Sequence, residues 1–349
     1  LERAHGHEIV GARPPRLRLR RLPAAGQVPL DQALDAIDLA SVAAWERILD
    51  AARPDALLLN AAPLASAAAR ARGLPRFVVS DGYWLPERSR HRDALWGDEA
   101  FLATFPELDH NGARNGAEYF GALYLDDEGE ALDWAGAGRA RVGAYLRAKW
   151  APLPALAVAL RDKGCDAVFF VPDADDPLLE ALRATGARAQ RTPLRFSPAG
   201  GGLDLMICHA GHGTAAASLV AGVPLLLAPR YVEQDITARN VLRIGAGRRL
   251  APDAAPAALR QALDELLDTS VCRAAAEAFR AAHPGYRPAA AAARIAAAIA
   301  RALPGSRLAG EARSCSRSRS PPTATSSAST APGATCHSGT WPGKRFSGS

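Results

Sequence analysis

Short apolar segments alternate with helical segments along most of the chain, and this alternation constrains the fold more than any other feature. In the first half, the apolar run Asp55–Asn60 is followed by the alanine-rich helical stretch Leu64–Arg72 and by the strand-like run Phe77–Ser80. In the second half the same order recurs, with strand-like runs at Asp166–Val171 and Leu203–Cys208. Repeated strand–helix–strand units predict parallel sheets flanked by helices, which is the α/β doubly wound class.

The second half continues the alternation with further predicted elements. These are the strands Arg141–Leu146 and Pro224–Ala228 and the helices Pro152–Lys163, Asp175–Thr185, Thr214–Ala221, Ile236–Ile244, Ala255–Asp268, Val271–Ala282 and Arg287–Ala302. From Asp98 to Arg139, glycine, aspartate and aromatic residues replace the pattern, which indicates an inter-domain connection. We therefore predict an N-terminal domain over 1–138 and a C-terminal domain over 139–302. The two would face a cleft, with ligands at the carboxyl ends of the strands.

The two ends of the chain differ from this body. The first residues, Leu1–Val10, indicate a helix end, a glycine turn and an entering strand. We expect the first strand of the fold to lie upstream of Leu1. Residues 303–349 are rich in serine, arginine and proline and show no hydrophobic period, so they predict a disordered tail. The run Arg313–Ser320 leaves an RNA-associated role open as an alternative.

Composition argues against several classes of protein. Apolar residues make up 48% of the sequence, but no apolar run approaches the roughly 18 residues of a membrane span, and Leu1–Val10 is too polar for a signal peptide. We therefore expect a cytoplasmic protein without integral membrane association. The five cysteines stand singly, which argues against a zinc site or a disulfide framework. The net charge of +6 comes mainly from Arg13–Arg21 and the tail, and no recognition motif indicates nucleic-acid binding.

A glycine-containing loop follows the predicted strand Leu203–Cys208. It reads His209-Ala210-Gly211-His212-Gly213-Thr214 and leads into a predicted helix. Glycines let a phosphate approach the backbone closely, and a helix N-terminus supplies unpaired N–H groups and a positive dipole end. Thr214 can add a hydroxyl hydrogen bond, and His209 can contact phosphate at the end of the strand. Taken alone, the pattern also fits an ordinary tight turn between a strand and a helix.

A second block follows the predicted strand Pro224–Ala228. It reads Pro229-Arg230-Tyr231-Val232-Glu233-Gln234. An acid and an amide just past the carboxyl end of a strand can accept hydrogen bonds from sugar hydroxyls and donate to them. Taken alone, a capping acid and a surface glutamine before a helix would be the simpler explanation.

Together the two blocks resemble the C-terminal signature of GT-B glycosyltransferases. Within that group they resemble the bacterial family 1, macrolide-glycosyltransferase-like enzymes that use UDP- or dTDP-sugars to glycosylate natural products. The matching residues are His209, Gly211, Gly213, Thr214, Gly222-Val223-Pro224, Pro229 and Glu233-Gln234. A weaker resemblance covers most of residues 1–300, including Phe101–Tyr124. The resemblance implies a GT-B architecture, with two Rossmann-like domains facing a cleft.

The resemblance also implies a reaction and roles for these residues. The donor's diphosphate would be held by His209, Gly211, His212, Gly213 and Thr214, and its sugar by Glu233 and Gln234. The protein would be a metal-independent hexosyltransferase that moves a hexose from a UDP- or dTDP-sugar to a hydroxyl of a small, lipophilic acceptor. No cofactor is implied beyond the nucleotide-sugar co-substrate.

The sequence departs from the family pattern at three places. Ala217 stands where many members have a glutamate that holds the ribose, and Thr237 stands where an asparagine is usual. The glycine-rich loop that often carries the catalytic base would lie upstream of Leu1. The base is therefore unassigned, and Asp81 and His91 are the candidates within the chain.

The segment Ser80–Trp84 follows a predicted strand and resembles the loop that faces the acceptor in related transferases. Tyr83 and Trp84 could stack on a flat or lipophilic acceptor, and packing of the loop onto the core explains them equally well. Asp81 could polarise an acceptor hydroxyl or cap a turn. His110 lies in irregular sequence with no evident partner.

Other possibilities remain open. Asp173-Ala174-Asp175 spells the motif that holds a metal in GT-A enzymes, but Asp176-Pro177 after it indicates helix capping, so no metal site is predicted. A nucleotide-sugar 2-epimerase of the same fold is one alternative function, and a catalytically inactive sugar-nucleotide-binding protein is another. The sequence does not determine the oligomeric state.

Overall fold

The computed structural model describes residues 34, 39–125, 134, 138–193 and 202–303. The features predicted for Leu1–Val10, for Arg13–Arg21 and for the tail beyond Leu303 lie outside these residues. Within them the chain forms two parallel sheets flanked by helices, which confirms the α/β prediction. None of the described helices is long and apolar enough to cross a bilayer.

The first sheet has three parallel strands in the order β1-β2-β3. Its elements are α1 Leu39–Ala52, β1 Leu57–Leu59, α2 Pro63–Ala71, β2 Arg76–Ser80, α3 Arg92–Trp96 and β3 Glu99–Leu102. Strand β3 lies inside the stretch that the sequence indicated as a connection, so that expectation is wrong for these residues. The strand forms because Gly97, at φ +62°, turns the chain after α3, and Phe101 and Leu102 are then buried beside β2.

The second sheet has six parallel strands in the order β6-β5-β4-β7-β8-β9. Their bounds are β4 Arg141–Tyr145, β5 Asp166–Phe170, β6 Arg188–Gln190, β7 Leu205–Cys208, β8 Leu225–Leu227 and β9 Gly247–Arg249. The strand order runs outward from β4 to β6 and then, from β7, in the opposite direction. The switch point therefore lies between β4 and β7, where Tyr145 pairs with Cys208 at the carboxyl ends. Ligands of open α/β sheets bind at such a point.

Except for the last of them, the helices of the second half cover both faces of this sheet. They are α4 Leu153–Asp162, α5 Asp176–Arg183, α6 His212–Val220, α7 Val232–Ile244, α8 Pro256–Leu267, α9 Val271–Ala282 and α10 Pro288–Ala302. Along β7 and β8, Ile207 and Leu226 pack into one buried cluster with α4 and α8, while Met206 and Leu225 pack into another with α6 and α9. Burial on both faces explains why these strands are continuous apolar runs rather than alternating ones.

Two helices begin earlier than the sequence indicated. Helix α6 begins at His212 rather than at Thr214, and α7 begins at Val232 rather than at Ile236. Helix α7 begins early because Tyr231 is extended and its carbonyl accepts the N–H of Asp235 at 2.9 Å. Glu233 and Gln234 consequently lie in the first turn of a helix and not in the loop before it.

The last helix, α10, returns to the first sheet. Ile295, which is 4% exposed, packs in one cluster with Phe77 of β2, Phe101 of β3 and Phe120. Arg294 adds an ion pair to Glu118 at 2.8 Å. By packing, α10 therefore belongs with the N-terminal half, although it follows the second sheet in sequence. The domain boundaries at 138 and 302 stay a prediction.

Candidate functional site

The loop between β7 and α6 lies at the switch point of the second sheet. Ala210 has φ +59°, a left-handed conformation that costs a non-glycine residue about 1–2 kcal/mol. Gly211 is the extended N-cap, and the first intrahelical bond joins Ala215 N–H to the Gly211 carbonyl at 3.0 Å. The N–H groups at the start of α6 therefore lack acceptors within the helix. A side chain placed on Gly211 would meet no atom within 4 Å, so the space before this helix end is open.

His209 uses both ring nitrogens within the protein. Its Nδ1 lies 2.7 Å from the Ala228 carbonyl, which only accepts, so Nδ1 carries the proton. Its Nε2 then accepts the backbone N–H of Arg147 at 2.9 Å. Burial, assisted by the charges of Arg230 and Arg147, lowers the pKa of His209 and keeps the imidazole neutral. In this arrangement His209 holds the loops after β4 and β8 together and has no proton left to donate to a phosphate.

Arg147 and Arg230 flank this histidine. Arg147 follows β4 by two residues and Arg230 follows β8 by three, so both come from carboxyl ends beside the switch point. Arg147 is half-buried and Arg230 is exposed, with its guanidinium 5.3 Å from the Tyr231 ring. Neither arginine was singled out from the sequence. Their positions in the sequence could have indicated them as ligand-binding residues, because each lies just past a predicted strand, at the edge of the sheet where ligands bind.

The other residues of the glycine loop have different surroundings. The His212 side chain points to the N-terminal half, where its Nε2 lies 2.7 Å from Thr104 Oγ1, and burial lowers its pKa to about 4. A side chain on Gly213 would lie 3.5 Å from Tyr124 Cβ. Thr214 is half-buried in the first turn of α6. The backbone of this turn, rather than the His212 ring, is what the loop offers to an anion.

The first turn of α7 approaches the loop that follows β2. Gln234 Oε1 accepts the N–H of Arg230 at 2.9 Å, which leaves the amide NH₂ of Gln234 to donate elsewhere. The carboxyl group of Glu233 lies beside that of Asp81, on the loop after β2. One carboxyl oxygen of each acid and a ring nitrogen of His110 all lie within 4.8 Å of one another. Burial, followed by the charge of Asp81 and hydrogen bonding to it, raises the pKa of Glu233 to about 7.

His110 has two partners, contrary to the sequence expectation. Its Nδ1 lies 3.1 Å from the Asp81 carbonyl and its Nε2 lies 3.0 Å from Thr237 Oγ1. These partners are distant in sequence, so no local pattern could reveal them. Both nitrogens of His110 are therefore engaged by protein atoms, next to the two carboxyl groups.

The predicted acceptor residues lie beside the same cluster. Tyr83 makes edge-to-face contacts with Trp84 and with His110, each with ring centroids 5.6 Å apart. Burial raises the pKa of Tyr83, and the charges of Glu233 and Asp81 add to the shift. Asp81 Oδ1 accepts the N–H of Tyr83 at 3.2 Å, which confirms the turn that the sequence indicated. His91 instead precedes α3, where its N–H donates to Ser89 Oγ, and it is not a member of the cluster.

A buried ion pair supports the loop after β2. Arg114 donates to Asp109 through Nε at 2.7 Å, and Tyr119 donates to the same carboxylate at 2.9 Å. Gly82 lies directly against this carboxylate, and a Cβ there would be 2.6 Å from Asp109 Oδ1. The backbone of Asp81–Leu85 is therefore fixed to the segment that connects the two halves.

The acidic motif at Asp173 and Asp175 is a capping motif, as the sequence indicated. Asp175 accepts the N–H of Leu178 at the start of α5, at 3.0 Å. Asp173 accepts the N–H of Ala148 at 3.0 Å and so fixes the loop after β4.

Comparisons with known proteins agree with the resemblance stated above. Residues 201–285, which carry the glycine loop and the first turn of α7, match the glycosyltransferase family 28 C-terminal domain. A 63-residue stretch is 43% identical to NDP-glycosyltransferase YjiC of Bacillus licheniformis, and covers 18% of this chain and 16% of that protein. The match thus spans about a sixth of the relative's length.

Solved structures extend the likeness to most of the chain. Spinosyn rhamnosyltransferase SpnG is 22% identical, with 74% of this chain and 82% of that one covered and a TM-score of 0.57. The glycosyltransferase VinC, solved in complex with dTDP, is 18% identical, with 76% and 77% covered and a TM-score of 0.55. Identities this low establish the fold, which is that of the GT-B glycosyltransferases.

Proposed function

We propose that this GT-B chain is a nucleotide-sugar-dependent glycosyltransferase that moves a hexose from a UDP- or dTDP-sugar to a hydroxyl of a small, lipophilic acceptor. The observation that carries the proposal is the open N-terminus of α6 at the switch point, with Arg147 and Arg230 beside it. The match of residues 201–285 to a glycosyltransferase domain and the dTDP bound by VinC support the same function.

The donor's diphosphate would lie against the first turn of α6. The N–H groups of His212, Gly213 and Thr214 and the helix dipole would bind its oxygens, with the Thr214 hydroxyl as a further donor. Arg147 and Arg230 would supply formal positive charge, which a neutral His209 does not. His209 would act by holding the Arg147 backbone beside the loop. With Ala217 in place of an acid, the ribose would be held by other groups.

The donor's sugar would lie between the first turn of α7 and the loop after β2. The free amide NH₂ of Gln234 would donate to one hydroxyl, and the carboxyl of Glu233 would accept from another. The half-buried rings of Tyr83 and Trp84 border this space and would stack on an apolar acceptor. SpnG has also been solved with spinosyn aglycone, which is consistent with an acceptor of this kind.

The reaction would be a displacement at the anomeric carbon. The acceptor oxygen forms the new bond, the bond from the anomeric carbon to the diphosphate breaks, and its electron pair stays on the diphosphate. The negative charge that grows there would be stabilised by donors already in position at α6 and by the two arginines. The acceptor's proton passes to a base, for which Asp81 is the candidate nearest to Glu233 and Tyr83.

Calorimetric titration with UDP and dTDP tests the donor site. We expect micromolar to millimolar binding, and we expect Arg147→Ala and Arg230→Ala each to weaken it about 10- to 100-fold, because each removes a charge-assisted bond worth about 1.5–3 kcal/mol. Arg161→Ala is the matched control, because Arg161 lies on the exposed side of α4 and pairs with its neighbour Asp162. Absence of binding to both nucleotides would refute the proposal.

Turnover separates the remaining alternatives. The protein is incubated with UDP-glucose or dTDP-glucose, with and without a panel of phenolic and macrolide acceptors, and nucleotide release is followed. Release that depends on acceptor supports a transferase, and release without acceptor supports a 2-epimerase. Binding with no release in either case supports an inactive sugar-nucleotide-binding protein.

A further inference from the structure

We infer that Asp81 is a positioning residue for Glu233. The two carboxyl groups form a proton-bridged contact across the cleft, and a hydroxyl of the donor sugar replaces that proton when donor binds. The inference rests on the proposed function, because it takes Glu233 as the acid that receives the sugar. It adds a residue from the opposite half to the donor site and makes donor binding depend on pH.

The contact joins elements that are distant in sequence. Asp81 follows β2 of the first sheet, whereas Glu233 lies in the first turn of α7, beside the second sheet. Contacts within the protein fix the positions of both residues. Asp81 accepts the N–H of Tyr83, and α7 is tied to the connecting segment by Thr237, which contacts His110, and by Asn240, which donates to the Leu108 and Asp109 carbonyls. The two carboxyl groups are therefore brought together by the fold and do not meet by free movement of exposed side chains.

Among the described residues, no arginine or lysine pairs with either carboxyl group. Tyr83 is a neutral phenol and His212 is buried and neutral, whereas His110 places Nδ1 4.0 Å from Asp81 Oδ1, a contact that is an ion pair only if the imidazole is protonated. Asp109 is paired with Arg114, and on α7 itself Asp235 is paired with Arg239 and Arg249. Among the described residues, Glu233 makes no ion pair with a basic side chain. Two adjacent carboxylates without an arginine or lysine partner retain a proton between them, which agrees with the raised pKa of Glu233.

The replacement of the bridging proton by a sugar hydroxyl is balanced in protons and charge. Before donor binds, the pair is Glu233–COOH beside Asp81–COO⁻, one proton and one charge between two acids. A sugar hydroxyl then donates its own hydrogen bond to the Glu233 carboxylate, and the bridging proton leaves to solvent. One proton is released for each protonated pair that binds donor. Donor should therefore bind more tightly as pH rises through about 7, the pKa of Glu233.

Calorimetry of UDP-glucose and dTDP-glucose binding measures this release directly. Titrations in PIPES and in imidazole at pH 6, 7 and 8 give the proton count from the difference in observed enthalpy between buffers. The nucleotide-sugar has no ionising phosphate in this range, so released protons come from the protein. We expect close to one proton at pH 6, about half at pH 7 and few at pH 8, with donor affinity about tenfold higher at pH 8 than at pH 6.

The variant Asp81→Asn tests whether Asp81 is the group that shares a proton with Glu233. The asparagine retains an acceptor for the Tyr83 N–H but removes the neighbouring charge, so Glu233 ionises at lower pH and both the proton release and the pH 8 to pH 6 affinity ratio decrease. Asp175→Asn, which changes a capping acid at the start of α5, is the matched control and should behave like the unmodified protein. Circular dichroism of each variant verifies the fold.

Three results would count against the inference. A donor affinity that does not change with pH, while UDP binds at pH 8, would refute the proton-bridged contact and leave the donor site standing. Proton release that is equal in Asp81→Asn and in the unmodified protein would refute the role of Asp81. A protein that binds neither UDP nor nucleotide-sugar at any pH would refute the proposed function itself.

Discussion

Gly82 shows how a single residue fixes the loop that carries Asp81 and Tyr83. Its φ of +99° disfavours any side chain, and its Cα lies against the buried carboxylate of Asp109. That carboxylate is held by Arg114, and breaking a buried pair of this kind costs about 3–5 kcal/mol, so it does not move aside easily. The position of the loop thus depends on the absence of one methyl group.

Replacement of Gly82 tests this dependence. Gly82→Ala combines an unfavourable φ with overpacking, and we expect it to lower the free energy of unfolding by about 1–3 kcal/mol more than Gly112→Ala does. Gly112 is the control because it has φ +82° but no atom within 4 Å of the place where a Cβ would lie, so alanine there incurs the backbone cost alone. Urea denaturation of the two variants gives the difference. Equal losses would mean that Asp109 yields without cost.

The features that sequence reasoning indicated and those it missed differ in how far apart the contacting residues lie. The motif residues His209–Thr214 stand in a continuous stretch, so the loop before α6 was predicted from spacing, but the contact of His212 with Thr104 was not. The contacts of His110 with Thr237 and of Arg147 with His209 could not be predicted in this way, because each joins distant parts of the chain. The same distance hid the contact between Asp81 and Glu233.

At the scale of elements, α7 joins the sugar end of the site to the connecting segment. Asn240 donates to two carbonyls, Leu108 O and Asp109 O, both at 3.1 Å, and Thr237 contacts His110. These contacts lie one and two turns below Glu233 on the same helix. The orientation of α7 therefore sets the position of its first turn.

Removal of the Asn240 amide should loosen this docking. Asn240→Ala leaves two buried carbonyls without that donor, and we expect the free energy of unfolding to fall by about 1–3 kcal/mol, with weaker binding of nucleotide-sugar. Arg243→Ala, on the exposed side of the same helix, is the control. Urea denaturation and calorimetry measure the two effects. Unchanged stability would show that other contacts hold α7.

Strands that consist of continuous apolar residues were predicted from the sequence, whereas short strands that contain charged residues were not. Strands β4, β5, β7 and β8 carry continuous buried residues and were found close to their true bounds. Strands β6 and β9, Arg188–Gln190 and Gly247–Arg249, are three-residue edge strands that contain arginine, so tertiary pairing rather than local pattern makes them strands. Early helix starts were missed because a backbone cap, not a capping side chain, begins α6 and α7.

At the scale of the whole molecule, packing of α10 on the first sheet is one of the contacts that hold the two halves together. Ile295 is central to this contact, with Phe77, Phe101 and Phe120 around it. The helix contains mostly alanine, so few large side chains carry the burial. The contact therefore depends strongly on Ile295.

Truncation of Ile295 tests the contact. We expect Ile295→Ala to lower the free energy of unfolding by about 2–4 kcal/mol, because it removes buried methyl groups and leaves a cavity. Arg301→Ala, exposed on the last turn of the same helix, is the control and should change little. Thermal and urea unfolding provide the measurement, and a melting temperature equal to that of the control variant would contradict the assignment.

Because α10 returns to the first sheet, the chain passes between the two halves twice, first between β3 and β4 and again between α9 and α10. Two separate crossing points define a line through the molecule. Rotation of one half about that line keeps both crossings at their original length, whereas sliding or twisting stretches at least one of them. We therefore expect the cleft between Asp81 and Glu233 to open by rotation about this line, whose position is set by where the backbone passes from one half to the other.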